Sequence, residues 1–315
     1  MSGAKNNTAT ATTATVDYVG RFAPTPSGPL HLGSLVAALA SFLDARAAGG
    51  RWLLRIDDLD GPRVRPGSAA QIIRQLTNLG LGWDGAIRYQ SAARHEYRSA
   101  LEQIQRQGVC FYCNCSRRML RAAIKTDNPD DSEPDCIAGC RDKVIQPPAT
   151  LRLDLTRLAP SGFLDRWQGH MAAGGRSPRD RVLQRRDGIH AYHLAVVVDD
   201  LATGVTDVVR GADLLTSTLV QLGVYRKLSA SAPRYAHAPV VMAANGAKLS
   251  KSQHSLAVGE DASRAGPELT QALRLLRQIV PVDLDRVQVK EILDHAIHHW
   301  NPTTFSGVQS VRASR

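Results

Sequence analysis

The chain has 315 residues, room for one large α/β domain with insertions or two modest ones, each able to bury a core. Lysine and arginine number 39 against 29 acidic residues, a formal charge of +10 that fits a polyanionic partner. No window approaches the roughly eighteen uninterrupted apolar residues of a membrane span, and no basic segment followed by an apolar core opens the chain. Membrane and secreted classes are therefore disfavoured, and a cytoplasmic monomer with no membrane partner is expected.

Residues 1–15 are rich in Thr, Ala, Ser and Asn without hydrophobic period and are expected to be a disordered tail. Then residues 18–22 are strand-like, 34–48 helix-like, 52–56 strand-like and 69–79 helix-like. This βαβα alternation implies a parallel sheet with helices on its faces, half of a doubly wound, Rossmann-like α/β fold over residues 16–106. Residues 107–181 break the rhythm with cysteines, an acidic loop and turn residues, and are expected to be an insertion. The alternation resumes over residues 182–255. There 191–198 is a β-branched run suited to a strand buried on both faces, 205–209 a second strand and 214–225 a helix. Helices over 268–279 and 287–300 make residues 256–315 a short helical C-terminal region, and no internal repeat is evident.

Two segments carry phosphate chemistry. Pro24-Thr25-Pro26-Ser27-Gly28-Pro29-Leu30-His31-Leu32-Gly33-Ser34 runs from a strand through a Pro/Gly turn into a helix, so backbone N–H groups and His31 converge where an anion binds well. Lys248-Leu249-Ser250-Lys251-Ser252 supplies two lysines able to neutralise charge that grows during nucleotidyl transfer.

Four of the five cysteines form a second constellation. Cys113-x-Cys115 and Cys136-x3-Cys140 place two close pairs in a turn-rich segment with little core, a plausible tetrahedral zinc site with four thiolates. Disulfides are not expected in a cytoplasmic chain. Cys110-x2-Cys113 is also a common ligand spacing, so spacing alone leaves Cys110 open.

As an ordered pair, the segments at His31 and Lys251 resemble the HIGH and KMSKS signatures of class I aminoacyl-tRNA synthetases, here written HLGS and KLSKS. Segments 21–28, 55–60, 191–200 and 209–213 are similar to the catalytic domain of glutamyl-tRNA synthetases, so the resemblance covers roughly residues 18–255. It implies an ATP-dependent ligase with a class I catalytic domain. His31, Gly33, Ser34 and Lys251 would then meet ATP, with Lys248 auxiliary, and Mg2+ would accompany the nucleotide. L-glutamate would lie among Arg21, Phe22, Ala23, Pro24, Thr25, Asp57, Tyr192 and Arg210. The chemistry agrees: a carboxylate suits a guanidinium fork, an ammonium suits a carboxylate, and a phenol can orient either. The chain departs from the family in two places: Ser34 replaces the second signature histidine, and Asp57 stands where Glu is common, one methylene shorter.

Against a full glutamyl-tRNA synthetase a C-terminal anticodon-binding region is missing. The resemblance is thus closest to shortened paralogues, which pass glutamate to the queuosine base in the anticodon of tRNA(Asp). Those paralogues hold zinc with a Cys-x-Cys and a later pair whose first member is often Tyr, here Cys136, which sets Cys110 aside as a neutral, buried thiol. A minimal synthetase charging the tRNA 3′ end, or a zinc-containing RNA-binding protein with a decayed ATP site, are the rival expectations.

The remaining groups are read more plainly. Asp199-Asp200 is taken as a capping and turn pair rather than a metal pair. Arg117, Arg118, Arg121, Lys125 and Arg141 are equally a basic face for RNA phosphate and a solvated surface. His95, His170, His190, His193, His237 and His254 are scattered, and His295, His298 and His299 read as a solvated helix face.

Overall fold

The computed structural model describes residues 17–59, 61–123, 134–156, 160–173, 179–243 and 258–313. In chain order the elements are β1 (Val19–Phe22), α1 (Leu32–Ala47), β2 (Arg51–Ile56), α2 (Ser68–Asn78), β3 (Arg88–Tyr89), α3 (Arg94–Gln105), β4 (Cys110–Cys113) and α4 (Arg117–Ala123). They continue with β5 (Thr150–Asp154), β6 (Gly162–Asp165), β7 (Gly169–Ala172), β8 (Asp180–Gln184), α5 (Tyr192–Ala202), β9 (Asp207–Gly211) and α6 (Leu215–Lys227). Then come β10 (Arg234–Ala238), β11 (Val240–Met242), α7 (Ala265–Leu275), α8 (Val289–His298) and β12 (Ser310–Arg312).

The sheet that carries the site is parallel. β1 pairs with β2 and β2 with β3, while β9 pairs with β10 and β10 with β6, each pair parallel; β7 returns antiparallel beside β6. The two groups meet at β1 and β9, where the Thr206 N–H donates to the Val19 carbonyl over 3.0 Å and the Thr206 hydroxyl accepts from the Val19 N–H over 2.9 Å. Strand order runs outward from this seam in both directions, which makes it the switch point where doubly wound sheets open a crevice at their carboxyl ends.

Helix α1 is held beneath the crevice by Leu35, Val36, Leu39, Phe42 and Leu43, all buried, each contributing about 1.5–3 kcal/mol of burial. It shares a core with Trp52, Leu54 and Ile56 of β2, Ile72 and Leu76 of α2, and apolar residues of α7 and α8. A second core joins α3, α5 and α6 to β5 and β8. Segment 107–181 supplies β4 and β5 of an antiparallel sheet that β8 completes as it runs on to Gln184, but its residues 162–165 form β6 and pair with β10 in the parallel strands. Among the described residues no helix is long and apolar enough to cross a membrane.

One expected element is corrected. The run 191–198 forms a helix, α5, not a strand. Its residues from His193 to Asp200 are all buried, and a helix covered on every side carries the same unbroken apolar run as a strand buried on both faces. Asp199 and Asp200 are neither turn nor capping residues: they sit inside that helix as buried ion-pair partners.

Candidate active site

At the seam lies a cleft of about 760 Å3 lined by Arg21, Phe22, Ala23, Pro24, Thr25, His31, Gly33, Ser34, Asp57, Tyr192 and Arg210. Every expected substrate or nucleotide residue that the structure describes therefore faces one space. Lys248 and Lys251 lie outside the described residues. Tyr192 enters from the first turn of α5, 38% exposed, and not from a strand end.

The nucleotide half is built on the start of α1. The loop after β1 turns at Gly28, whose φ of 138° is open to glycine and strained for other residues. It is pinned by the N–H of Asp57 on the Pro24 carbonyl (3.0 Å) and that of Arg65 on the Pro26 carbonyl (2.9 Å). His31 is the N-cap of α1, and its Nδ1 accepts the Ser34 N–H over 3.2 Å. An accepting Nδ1 obliges a neutral ring to carry its hydrogen on Nε2, a donor suited to phosphate oxygen. No acidic residue occupies the first turn of α1, so nothing there offsets the positive end of the helix.

The amino-acid half is a buried charge lattice. Arg21 of β1 donates from Nε and Nη2 to Asp200 over 3.2 and 3.4 Å. Arg55 of β2 donates to the same carboxylate from Nη1 over 2.6 Å and to Asp57 from Nε over 2.6 Å. Asp199 receives Arg88 (2.7 Å), Gln90 (2.8 Å) and the Tyr97 hydroxyl (2.9 Å). Three guanidiniums (Arg21, Arg55, Arg88) thus face three carboxylates (Asp57, Asp199, Asp200), with Glu96 on Arg88 at the edge.

Burial pushes the Asp57 carboxyl up to about 6 against the pull of Arg55. In Asp200 burial acts in the same sense, but Arg21 and Arg55 outweigh it and hold the carboxyl below its ordinary range. Because Asp200 occupies the Nε/Nη2 edge of Arg21, the opposite Nη1/Nη2 edge remains for a bidentate carboxylate.

Arg210 of β9 is buried. It donates from Nε to His237 Nε2 (3.1 Å), from Nη1 to Gln221 Oε1 (2.8 Å) and from Nη2 to the Thr218 hydroxyl (2.8 Å) and the Leu214 carbonyl (3.3 Å). Arg55, His237 and Gln221 went unmarked in sequence. Arg55 stands two residues before Asp57 in the segment 55–60, and that proximity is its one sequence signal. His237 and Gln221 carry none, since only the fold brings them to Arg210.

The four expected metal ligands also converge. One ligand atom from each of Cys113, Cys115, Cys136 and Cys140 lies within 4.8 Å of the others. The Cys115 sulfur is 3.8 Å from that of Cys136 and 3.9 Å from that of Cys140. Four thiolates at the usual Zn–S length of about 2.3 Å in a tetrahedron have sulfurs about 3.8 Å apart, so the donor set fits zinc with every position filled. Burial raises the Cys115 thiol, but N–H groups of Ile137 and Ala138 with the Cys113 and Cys136 thiols outweigh it and hold it below its ordinary value. Asp180, paired with the buried Arg152, accepts the Cys136 N–H over 3.1 Å and orients that ligand from behind. Cys110 packs instead with the core around α3, α5 and α6, and burial raises its thiol to about 12. None of these cysteines lines the cleft.

Of the expected basic face, Arg118 is exposed on α4 and Arg141 pairs with Asp154 over 2.7 Å, while Lys125 lies outside the described residues.

Residues 18–294 match the family model of the catalytic domain of class I tRNA synthetases (E and Q). The chain is 46% identical over 291 residues to a glutamyl-Q tRNA(Asp) synthetase of Pseudomonas paraeruginosa, spanning 92% of this chain and 95% of that one. It is 42% identical over 298 residues to the protein of that name from Klebsiella pneumoniae, spanning 94% and 98%. In fold it is similar to a glutamate tRNA ligase from Elizabethkingia meningosepticum in complex with its amino acid, with a TM-score of 0.75 and 23% identity over 95% of this chain and 67% of that one.

Proposed function

The chain belongs to the class I tRNA synthetases for glutamate and glutamine, and on that footing we propose that it activates L-glutamate with ATP and passes the glutamyl group to the queuosine base in the anticodon of tRNA(Asp). The reaction makes it a ligase, acting in the cytoplasm as a monomer. In the first step an α-carboxylate oxygen of glutamate attacks the α-phosphorus of ATP, the bond to the β-phosphate oxygen breaks, and pyrophosphate leaves. In the second a nucleophile on the tRNA base attacks the activated carbonyl carbon and AMP departs.

One observation carries this reading: two guanidiniums, Arg21 and Arg210, and the start of α1 with its His31 cap open into the same cleft. Within the lattice around Arg21 every guanidinium is already met by a carboxylate, whereas none of the hydrogen bonds of Arg210 goes to one, so Arg210 adds positive charge that an incoming carboxylate neutralises. Arg21 offers its open bidentate edge and Arg210 a single N–H to the carboxylates of glutamate, Asp57 takes the α-ammonium, and Tyr192 orients the substrate at the rim. Phe22, Ala23, Pro24 and Thr25 form the wall between the two halves. His31 donates to the α-phosphate from Nε2, the N–H groups at Gly33 and Ser34 favour the added negative charge, and Lys251, with Lys248, neutralises the phosphates. Mg2+ accompanies ATP. Zinc on Cys113, Cys115, Cys136 and Cys140 is structural, ordering a segment with little core of its own.

Glutamate-dependent exchange of labelled pyrophosphate into ATP, run without tRNA, tests the activation step. Exchange with glutamate and not with glutamine is expected. No exchange with any amino acid would overturn the proposal.

A further inference from the structure

β6, β10 and β9 are neighbours in the sheet, and toward their carboxyl ends they carry Asp165, His237 and Arg210. Asp165 and His237 are completely buried, and Arg210 nearly so. Arg210 donates its Nε–H to His237 Nε2 over 3.1 Å. An accepting Nε2 requires the ring hydrogen on Nδ1, and Nδ1 lies 2.5 Å from Asp165 Oδ2. Asp165 is fixed in turn by the N–H groups of Trp167 (3.0 Å), Gln168 (2.9 Å) and His237 (3.2 Å). The carboxylate therefore sets the tautomer, and the tautomer sets the guanidinium.

The contrast with Arg21 shows what this arrangement achieves. Arg21 is oriented by a carboxylate, Asp200, which also compensates its charge. Arg210 is oriented through the same Nε by a neutral ring, so its direction is fixed while its charge stays available to a substrate. Burial, with Arg210 nearby, outweighs the opposing pull of Asp165 and of Asp213 in the cleft wall and lowers the His237 ring to about 4, which keeps it uncharged near neutrality. With Nη1 given to Gln221 and Nη2 to Thr218 and the Leu214 carbonyl, one Nη1–H of the five N–H groups remains for the cleft. Its direction follows from the guanidinium plane, which His237 fixes at Nε together with Gln221, Thr218 and the Leu214 carbonyl at the two Nη atoms.

We propose that His237 is a positioning residue which, held by Asp165, aims the remaining N–H of Arg210 at a carboxylate of glutamate. The inference rests on the cleft being the glutamate site.

Two variants and one spectrum test it. His237→Phe keeps the ring volume and removes both ring nitrogens, whereas His237→Gln can place an amide oxygen near the Nε2 position and accept from Arg210. In pyrophosphate exchange, His237→Phe is expected to raise KM for glutamate by about tenfold or more, the scale of a lost hydrogen bond to a charged group, with KM for ATP unchanged. His237→Gln should recover most of the loss. Equal effects on both substrates, or no effect in a variant that melts like the wild type, would overturn the proposal. The ring tautomer decides independently of activity. In a long-range 1H–15N spectrum of the wild type, the ring identified by its contacts to Tyr235 and Phe163 should carry hydrogen on Nδ1 and a bare Nε2 at pH 7. Hydrogen on Nε2 would refute the arrangement even if neither variant folded. Wild-type protein without exchange activity but with the Nδ1–H tautomer would instead overturn the assignment of glutamate to the cleft, and with it the role proposed for His237.

Discussion

Asp200→Asn removes the charge on which Arg21 and Arg55 both converge. Asp200 is buried, and its contacts are a 2.6 Å bond from Arg55 Nη1 and two longer bonds, 3.2 and 3.4 Å, from Arg21. Taking one partner from a buried ion pair costs about 3–5 kcal/mol, and the amide oxygen that remains favours the lower end, about 3 kcal/mol. At roughly 2 °C per kcal/mol for a chain of this size, the melting midpoint should fall by about 6 °C. The lost stability has a defined pH window. Asp200 is held below its ordinary value in the folded chain, so its contribution is full above the unfolded value of about 3.9 and fades only as pH falls through the lower folded value. The melting difference between wild type and variant should therefore be constant from pH 7 to pH 8, above the range in which Asp57, which shares Arg55, changes charge. Arg21 also loses its anchor, and KM for glutamate in pyrophosphate exchange should rise by about tenfold while KM for ATP holds. An Asn variant that melts within about 1 °C of the wild type with an unaltered KM would refute the view that this lattice positions Arg21.

Asp57 titrates in the opposite sense to Asp200. With a folded value of about 6, above the unfolded value, it holds a proton that weakens any ammonium contact as pH falls, so KM for glutamate should rise below about pH 6 in the wild type and be high and flat in Asp57→Asn. A wild-type profile level down to pH 5 would remove Asp57 from substrate binding, and Asp57→Glu, which restores the family's longer side chain, should be tolerated. Metal analysis of purified protein should find one zinc per chain, lost in Cys113→Ser and Cys140→Ser and retained in Cys110→Ser; the reverse pattern would displace the ligand assignment. Lys251→Ala should slow pyrophosphate exchange by about 2–4 kcal/mol of transition-state stabilisation, and unchanged exchange would exclude Lys251 from the mechanism.

Much of the cleft could be read from the chain because its residues sit in short local patterns. Arg21 through His31 form one strand-turn-helix segment, and Asp57 follows the next strand directly. The cysteine cluster was readable in part, since Cys-x-Cys and Cys-x3-Cys spacings bring their thiols close, but it took the family resemblance to set Cys110 aside. What escaped was tertiary. The run at 191–198 satisfies a buried strand and a buried helix equally, and only packing against β8 and α6 decides for the helix. Asp199-Asp200 then changes from a turn to the centre of a charge lattice, because a helix carries both carboxylates inward toward Arg21, Arg55 and Arg88. His237 looked like one histidine among ten. Its place between Asp165 and Arg210 follows from the strand order β6-β10-β9, which no local pattern encodes.

Transfer of radiolabelled glutamate to tRNA(Asp) with and without queuosine, followed by mapping of the labelled nucleotide, separates the anticodon reaction from 3′-end charging. Label is expected on the modified anticodon base and none on the unmodified tRNA. Label at the 3′ end, or equal transfer to both tRNAs, would contradict the anticodon reaction.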